Sequence, residues 1–557
     1  MDYMQLIIPL IIITLLALPL GKYIYNIITG GKSFVDPAMN RVDGLVYRLL
    51  HIHKDKSMTW KQYMGAILLT NAVLFIFIFA ALCLQNLLPL NPNGVGALSP
   101  DLAFNTASSF ITNTNLQHYS GEWGASHLTQ MMLTALMFAA PATGLAATAA
   151  FLRGLTRQGE GLGNFYVDFT RFVTRLLLPL SIILAIVYIA MGVPQTLAGA
   201  QAVTTVEGKT QLIPLGPVAA LEAIKNLASN GGGFWGANSA HPFENPSPLS
   251  DVFTIVSLGM IATSLVFVFG RLAKNKKQGW ILYASMMFML IASVFVVYIA
   301  ETAGNPALAN AGLNQSMGNM EGKEARFGMG ENSVFTAGTT AYEVGAVNNM
   351  HDSLTPMAGF MAIWNMMMQT IFGGKGTGLI YIVMYAILAV FLSGLMVGRT
   401  PEYLGKKIEG REIRLIAFTI LLHPLIILIP SAIALVLPQT AASLSNPGYH
   451  GISQAVYEMT SAAANNGSGF EGLGDNTVFW NLVTGVLMLV GRYVPIATML
   501  AMSGSLSEKK ITPAGLGTFR TDKLLFGVVL IFIMIIVNAL TFFPTLVLGP
   551  ISEGLTI

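Results

Sequence analysis

Four short stretches of this sequence bring together small and oxygen-bearing residues where a helix cannot easily continue, and three of them contain glycine. They lie at residues 112–115, 229–233, 343–346 and 465–469, each between apolar segments. Glycine adopts backbone angles that other residues avoid and leaves the neighbouring carbonyl groups accessible. The candidate binding residues in these loops are Thr112, Asn113, Thr114, Asn115, Ser229, Asn230, Gly231, Gly232, Glu343, Val344, Gly345, Ala346, Asn465, Asn466, Gly467 and Ser468.

The chemistry of these four loops suits a cation that has lost its water. Carbonyl, hydroxyl and amide oxygens can replace the hydration shell of an ion. The loops lack the clustered carboxylates that a divalent ion prefers. They therefore predict a site for a dehydrated monovalent cation, potassium before sodium. The alternative is that they are structural turns left by an old duplication.

The loops recur at a regular interval along the chain. Aligning the third position of each loop pairs Thr114, Gly231, Gly345 and Gly467, at spacings of 117, 114 and 122 residues. Such a period predicts an internal fourfold repeat. Each loop follows a segment of about a dozen moderately apolar residues, which is too short to span a bilayer. We expect four helix–loop–helix units around an axis, with the negative C-terminal end of each short helix facing the centre.

The composition is that of an integral membrane protein. Of its 557 residues, 54% are hydrophobic and only 10% are charged, whereas soluble domains carry about 25% charged residues. The single cysteine, Cys83, excludes an intrachain disulfide. The first apolar segment has no basic residue ahead of it, which predicts an uncleaved helix with its N-terminus outside.

Ten apolar windows predict ten membrane crossings. They lie at about 5–20, 64–84, 129–152, 172–192, 252–270, 280–300, 355–397, 415–437, 480–504 and 524–548. Of the 30 Lys and Arg residues, 24 fall in every second connection, so these connections are predicted to be cytoplasmic and both termini outside. The seventh window is too long for one continuous crossing, and we expect a break at 373–378.

The predicted architecture is an all-α polytopic membrane protein with a pseudo-fourfold arrangement. Four helix–pore loop–helix repeats are expected at residues 62–153, 171–271, 279–398 and 413–505. One extra spanning helix is expected at each end, at 1–26 and 523–557.

Two basic residues remain at membrane depth, Lys375 and Arg492. A charge there is costly unless it has a partner or a function. Lys375 is a candidate for a cation-repelling gate or hinge, and the alternative is a lysine that reaches back to the membrane surface. We expect Arg492 to face the bundle interior, where it caps the broken helix or pairs with an acid. The gate candidates are Gly373, Gly374, Lys375, Gly376, Gly378 and Arg492.

Two residues follow the first loop closely. Gln117 is a candidate filter support on the outer side, and changing it is expected to loosen selectivity. His118 is predicted to be an ordinary residue of the outer vestibule.

Long motifs around the loops resemble one family. They read TNTN at 112–115, YSGE at 119–122, NGGGF at 230–234, HPFENP at 241–246, NMEGKE at 319–324, MHDS at 350–353 and GRTPEYLGKK at 398–407. Nearly end to end, the chain resembles the KdpA family, the channel-like subunits of the bacterial Kdp potassium-importing ATPase. That family is part of the superfamily of fourfold-repeat potassium transporters.

The resemblance implies that the chain selects potassium outside the cell and passes it sideways, through a tunnel, to a P-type ATPase subunit. It implies two smaller membrane subunits as further partners, and a location in the bacterial inner membrane. The chain carries neither a Gly-x-x-x-x-Gly-Lys-Ser/Thr loop nor an Asp-Lys-Thr-Gly motif, so we expect no ATP site in it and no catalytic chemistry. Potassium is the expected ligand and the lipid bilayer the expected surroundings, with no nucleic-acid partner.

One residue departs from the family pattern. Relatives carry a small hydroxyl residue where this chain has Glu343. Its carboxylate could add a cation site at the inner edge of the filter, or it could point away and pair. We favour the second because a fixed charge in the pathway would hold the ion too tightly.

Functions of other classes compete with this interpretation. A self-contained potassium symporter or channel of the same superfamily would need a direct route to the cytoplasm past 373–378. A scaffolding membrane subunit would bind no ion at the centre of the loops. An intramembrane serine protease is disfavoured, because Asn466 stands where its motif requires glycine and no histidine is placed as a base near Ser468.

Overall fold

The computed structural model of the protein describes residues 2–159, 161–396, 398, 400–513 and 519–557, except for the side chains of Asp2 and Lys375. Ten helices in this part of the chain are long and apolar enough to cross a membrane. These spanning helices 1 to 10 comprise Asp2–Thr29, Trp60–Leu84, His127–Thr156, Phe165–Ala190, Pro248–Leu272, Lys276–Thr302, Thr377–Met396, Gly410–Val436, Val478–Glu508 and Leu524–Leu546. The prediction of an all-α polytopic membrane protein is confirmed.

Four shorter helices enter the bundle without crossing it. These pore helices 1 to 4 comprise Pro100–Ile111, Val218–Leu227, Met329–Ala341 and Tyr449–Ala464. Their lengths of 10 to 16 residues correspond to about 15–24 Å of helix, less than the roughly 30 Å of a hydrocarbon core. Nearly all of their residues are buried, so each pore helix is surrounded by protein.

The remaining elements are short. The α-helices are Asp36–Leu49, Gly121–Gly124, Pro306–Asn310, Pro356–Met368, Pro438–Ala441 and Ser552–Thr556. Three 3-10 turns lie at Gln85–Leu87, Asn238–Ala240 and Gly374–Gly376, and a π-helical turn lies at Val547–Ile551. Two antiparallel pairs of strands join Gln201–Thr204 to Thr210–Ile213 and Glu402–Tyr403 to Lys406–Lys407.

Spanning helix 1 lies along spanning helix 5 and reaches pore helix 3. The two spanning helices approach so closely at Gly21 that a Cβ atom there would lie 2.9 Å from the carbonyl oxygen of Ser264. Small residues permit such approach between membrane helices, where dispersion contacts drive association. The first extra helix is therefore packed onto the repeats.

One crossing is interrupted. The helix Pro356–Met368 ends at Gln369, whose φ of 52° is left-handed, and spanning helix 7 begins at Thr377. A Cβ atom on Gly378 would lie 2.2 Å from the backbone nitrogen of Gly373, so the two ends of the interruption touch and only glycine fits. This interruption overlaps the stretch in which the sequence predicts a break.

A buried ion pair joins spanning helices 3 and 4. Arg153 donates from Nη1 and Nη2 to both carboxylate oxygens of Asp168, at 2.6 and 2.7 Å. The hydroxyl of Tyr63 donates to the same carboxylate at 2.8 Å. Two parallel hydrogen bonds between opposite charges form the strongest class of side-chain contact, and they satisfy the buried arginine.

Candidate functional site

The four pore helices end in the same backbone turn. In each, a backbone N–H donates to the carbonyl five residues earlier, at 2.8 to 2.9 Å. The residue before that donor is left-handed, with φ between 53° and 66°. The donors are Thr114, Asn230, Val344 and Asn466, and the left-handed residues are Asn113, Ser229, Glu343 and Asn465. This is a Schellman-type helix end, which uses carbonyls that the helix leaves unpaired.

These equivalent turns correct the sequence alignment in the first loop. Thr112 keeps a right-handed conformation, so the left-handed residue of that loop comes one position later than the predicted start of the loop. The counterpart of Gly231, Gly345 and Gly467 is therefore Asn115, and the alignment with Thr114 was wrong by one residue. Asn115 has φ 59°, a conformation that asparagine tolerates better than most residues.

The four loops meet in a ring. A Cβ atom on Gly231 would lie 2.5 Å from the Cα of Gly345 and 3.0 Å from the carbonyl oxygen of Thr114. A Cβ on Gly345 would lie 2.6 Å from the carbonyl carbon of Gly467, and one on Gly467 would lie 1.9 Å from the carbonyl oxygen of Thr114. Each loop thus touches the next in chain order, and the fourth touches the first. Glycine is required because backbones contact one another directly.

Side chains hold neighbouring loops together. The amide of Asn113 donates to the carbonyl of Ser229 at 2.9 Å. The amide of Asn465 donates to the hydroxyl of Thr114 at 2.9 Å. Gln117, the predicted support, accepts a hydrogen bond from the backbone N–H of Gly233 at 2.9 Å and donates to its carbonyl at 3.3 Å. The predicted residues of different loops therefore bind one another.

Three hydroxyl side chains also support the loops, each six residues before Asn115, Gly345 or Gly467, and the sequence analysis missed them. Ser109 donates to the carbonyl of Leu116 at 2.8 Å, and Thr339 donates to that of Ala346 at 2.6 Å. Ser461 accepts from the N–H of Gly467 at 3.0 Å. A fixed offset of six residues from the ring position was the available signal, but it required the corrected alignment of the first loop.

The second loop uses a buried charge at this position instead of a hydroxyl. Lys225 has no solvent exposure and donates to Glu222 at 2.9 Å and to Glu244 at 2.7 Å. The carboxylate of Glu244 also accepts the backbone N–H of Trp235 at 2.8 Å. This network connects the HPFENP motif to the segment that follows the second loop.

Several backbone carbonyls at the ring have no partner in the protein. Within the described part of the chain, no hydrogen-bond donor reaches the carbonyl oxygens of Thr114, Asn230, Gly345 and Gly467. The side-chain amide of Asn115 is also buried and makes no hydrogen bond there. Buried carbonyl groups in native proteins are almost always paired with protein groups, ordered water or a ligand, so these oxygens are available to a ligand.

A small cavity of about 20 Å³ lies on the pore-helix side of the ring. Its walls include Glu343, Gln369, Tyr381, Asn465 and Arg492. The structure thus brings Glu343 and one gate candidate, Arg492, to the same cavity.

The interrupted crossing lies directly against the third loop. A Cβ atom on Gly374 would lie 2.7 Å from the carbonyl oxygen of Tyr342, and one on Gly373 would lie 2.8 Å from Oε1 of Glu343. Nη2 of Arg492 lies 3.4 Å from the carbonyl oxygen of Ala140 on spanning helix 3, so that hydrogen bond does not cap the broken helix. The side chain of Lys375 lies outside the described part of the structure.

His118 is not an ordinary vestibule residue, and that prediction was wrong. Its side chain is buried and lies within hydrogen-bond distance of Asn481 and Glu458. The sequence placed a single histidine next to the loop, but its partners come from a region more than 300 residues away.

The family described as KdpA, potassium-transporting ATPase A subunit, matches residues 7–555. A protein of Geobacillus kaustophilus (strain HTA426) is 53% identical over 548 residues, which are 98% of each chain. A protein of Clostridium acetobutylicum is 54% identical over 558 residues and the full length of both chains. Both are named potassium-transporting ATPase potassium-binding subunit.

A solved structure shares the fold. The crystal structure of the potassium transporter TrkH from Vibrio parahaemolyticus matches with a TM-score of 0.53 at 14% sequence identity. The match covers 89% of this chain and 97% of that one. The full-length matches in sequence show that this chain belongs to the KdpA family of potassium-transporting ATPase A subunits.

Proposed function

We propose that this chain binds potassium selectively in the ring of four loops and passes it to a P-type ATPase subunit for ATP-driven import. The observation that carries the proposal is the set of carbonyl groups at Thr114, Asn230, Gly345 and Gly467 that no donor reaches in the described part of the chain, the first three of them in buried residues. A ring of carbonyl oxygens replaces the water around a potassium ion and supplies the partner that each carbonyl lacks.

The electrostatics of the ring favour a cation of low charge. Four pore helices end immediately before the loops, and each contributes the negative end of its dipole. The four ring residues themselves, Asn115, Gly231, Gly345 and Gly467, carry no charge. Dipoles and uncharged ring residues bind a monovalent ion firmly enough for selection and weakly enough for release. The carboxylate of Glu343 lies beside the ring, in the wall of the cavity below it.

The path beyond the ring leads sideways in this proposal. The cavity below the ring shares Gln369 and Tyr381 with a second cavity of similar size. That second cavity extends to His423 on spanning helix 8 and Asn538 on spanning helix 10. The positive charge of Arg492 in the wall of the first cavity repels a cation that enters that cavity.

The names of the relatives support the rest of the assignment. Both describe the potassium-binding subunit of a potassium-transporting ATPase, which supports an ATPase partner for this chain. We extend the proposal to two smaller membrane subunits, to the bacterial inner membrane with both termini outside, and to a chain without an ATP site.

The gate at residues 373–378 belongs to the same proposal. Lys375 blocks a direct leak to the cytoplasm, and the surrounding glycines allow the segment to move. If Lys375→Ala left coupling unchanged and opened no passive potassium leak in vesicles, the segment would be structural only.

The decisive experiment measures ion-stimulated ATP hydrolysis by the assembled complex. Gly231→Asp adds a side chain where the backbone of the third loop lies within 2.5 Å of the Cβ position. We expect a rise of at least tenfold in the potassium concentration at half-saturation and a loss of preference over rubidium.

The control is Gly96→Asp, which makes the same substitution at an exposed site with no atom within 4 Å of the Cβ position. It should behave as wild type. An unchanged ion preference in Gly231→Asp would refute the ring as the selective site. Potassium uptake that persisted after ATP depletion would favour a self-contained symporter or channel.

A further inference from the structure

A buried imidazole lies beside the ring, in the segment that follows the first loop. Nδ1 of His118 lies 2.7 Å from Oδ1 of Asn481, and Nε2 lies 3.2 Å from Oε1 of Glu458. A second carboxylate, Asp475, lies 3.9 Å from Nε2. The imidazole therefore joins the first loop to pore helix 4 and spanning helix 9.

The hydrogen bonds around Asn481 fix the protonation of this imidazole. Nδ2 of Asn481 donates to the carboxylate of Asp101 at 2.8 Å and to Oδ1 of Asn476 at 3.1 Å. The amide oxygen of Asn481 therefore faces His118 and accepts from it. Because Nε2 faces a carboxylate, both ring nitrogens must donate. A neutral imidazole has only one N–H, so the side chain is an imidazolium.

Among the described residues, the charged groups around the ring of His118 are acidic. Glu458 faces it from pore helix 4, and Asp475 faces it from the segment before spanning helix 9. Asp101 acts from pore helix 1 through Asn481. Burial alone would lower the pKa of His118, but Asp475 and Glu458 outweigh burial and raise that pKa to about 9. The imidazolium therefore persists through neutral pH and is lost as the pH rises through about 9.

The neighbouring residue makes the position of His118 significant. Gln117 bonds to the backbone of Gly233, the last residue of the second loop, whereas His118 bonds to pore helix 4, which carries the fourth loop. Two adjacent residues thus tie the first loop to both of its neighbours in the ring. Thr114 and Asn115 lie two to four positions before these two residues, so both contacts hold the chain directly behind the ring.

We propose that His118, as an imidazolium, is a positioning residue for ion selection. It holds the first loop against pore helix 4, and discrimination between potassium and larger ions weakens when it loses its proton. The proposal rests on the proposed function of the ring, whose own test is Gly231→Asp.

The test uses the assembled complex and compares half-saturation by potassium and by rubidium from pH 6.5 to 9.5. In the wild type we expect constant discrimination up to about pH 8 and a decline through pH 9. His118→Gln should discriminate about tenfold less at pH 7 and show no such decline. Glu458→Gln removes one negative charge but keeps an acceptor, so the midpoint of the decline should move at least one pH unit lower.

The matched control is His450→Gln. His450 also lies between two carboxylates, at 2.9 Å from Asp352 and 2.8 Å from Glu553, but it lies in the first turn of pore helix 4 and faces the C-terminal helix. Its variant should keep both the discrimination and the pH profile of the wild type.

Three outcomes would overturn the proposal. The first is that His118→Gln discriminates between potassium and rubidium as well as the wild type at pH 7, while Gly231→Asp has lost this discrimination. The ring would then remain the selective site without a role for His118. The second is an unmoved midpoint in Glu458→Gln, and this variant remains informative if His118→Gln fails to assemble. The third is loss of discrimination with a chelator selective for transition metals, because His118, Glu458 and Asp475 would then be ligands of a metal ion.

Discussion

Gly345→Ala tests whether close backbone contact at the ring sets potassium affinity. The added Cβ atom would lie 2.6 Å from the carbonyl carbon of Gly467 and 2.8 Å from the Cα of Gly231. Both obstacles are backbone, so no side chain can rotate away. Restoring an ordinary contact of 3.4 Å requires a displacement of about 0.8 Å for the nearer atom.

The energetic consequence of this displacement can be bounded. Overpacking a rigid interior by one methyl group costs about 1–3 kcal/mol. If the ring yields by moving its carbonyls, that cost appears as lost ion binding, which corresponds to a factor of about 5–150 in affinity. We expect the potassium concentration at half-saturation to rise within this range.

The assay is potassium-stimulated ATP hydrolysis by the purified complex, with thermal unfolding measured on the same samples. Gly338→Ala is the matched control, because Gly338 lies in the helix that precedes the same loop and its nearest atom would be 3.4 Å from the new Cβ. Alanine is also the better helix former at that position. A Gly345→Ala complex within twofold of wild type would refute the reasoning, and so would an equal defect in Gly338→Ala.

Three further predictions concern the surroundings of the ring. Thr339→Val removes the hydroxyl that donates to two carbonyls of the third loop. Because a hydrogen bond contributes about 1 kcal/mol, the potassium concentration at half-saturation should rise several-fold, and Thr339→Ser should keep the wild-type value. Gln117→Leu removes both bonds to Gly233 and should reduce potassium-over-rubidium discrimination more than it reduces assembly; unchanged discrimination would contradict the support role. Arg153→Met leaves Asp168 buried without its partner and should destabilise the subunit by about 3–5 kcal/mol in chemical unfolding, while the additional change Asp168→Leu should recover much of that loss.

The sequence was sufficient for the parts of the fold that depend on local composition. Apolar length predicts each spanning helix, and glycine-rich stretches mark where a helix must stop. The interruption near Gly373 could be anticipated in the same way, because one bilayer cannot accommodate a continuous helix of that window's length.

Other parts depend on contacts between distant residues, which the sequence does not display. The one-residue error at Thr114 arose because a left-handed helix end is set by how the pore helix closes, and both Asn113 and Asn115 can adopt that conformation. The roles of His118 and Lys225 were missed for a related reason. A buried charge is recognised by its partners, and three of those partners, Glu458, Asn481 and Glu244, are supplied by other segments of the chain.

The order in which the loops touch determines when the ring can exist during synthesis. The last contact of the ring to form includes the hydrogen bond from Asn465 to Thr114, two residues separated by 351 positions. At about 5–20 residues per second, the first loop waits on the order of 20–70 s for the fourth. Until then only three of the four loops are present and the ring is incomplete. A truncated chain that ends before pore helix 4 lacks the fourth loop and cannot close the ring. The ring of four loops is thus completed only near the end of translation.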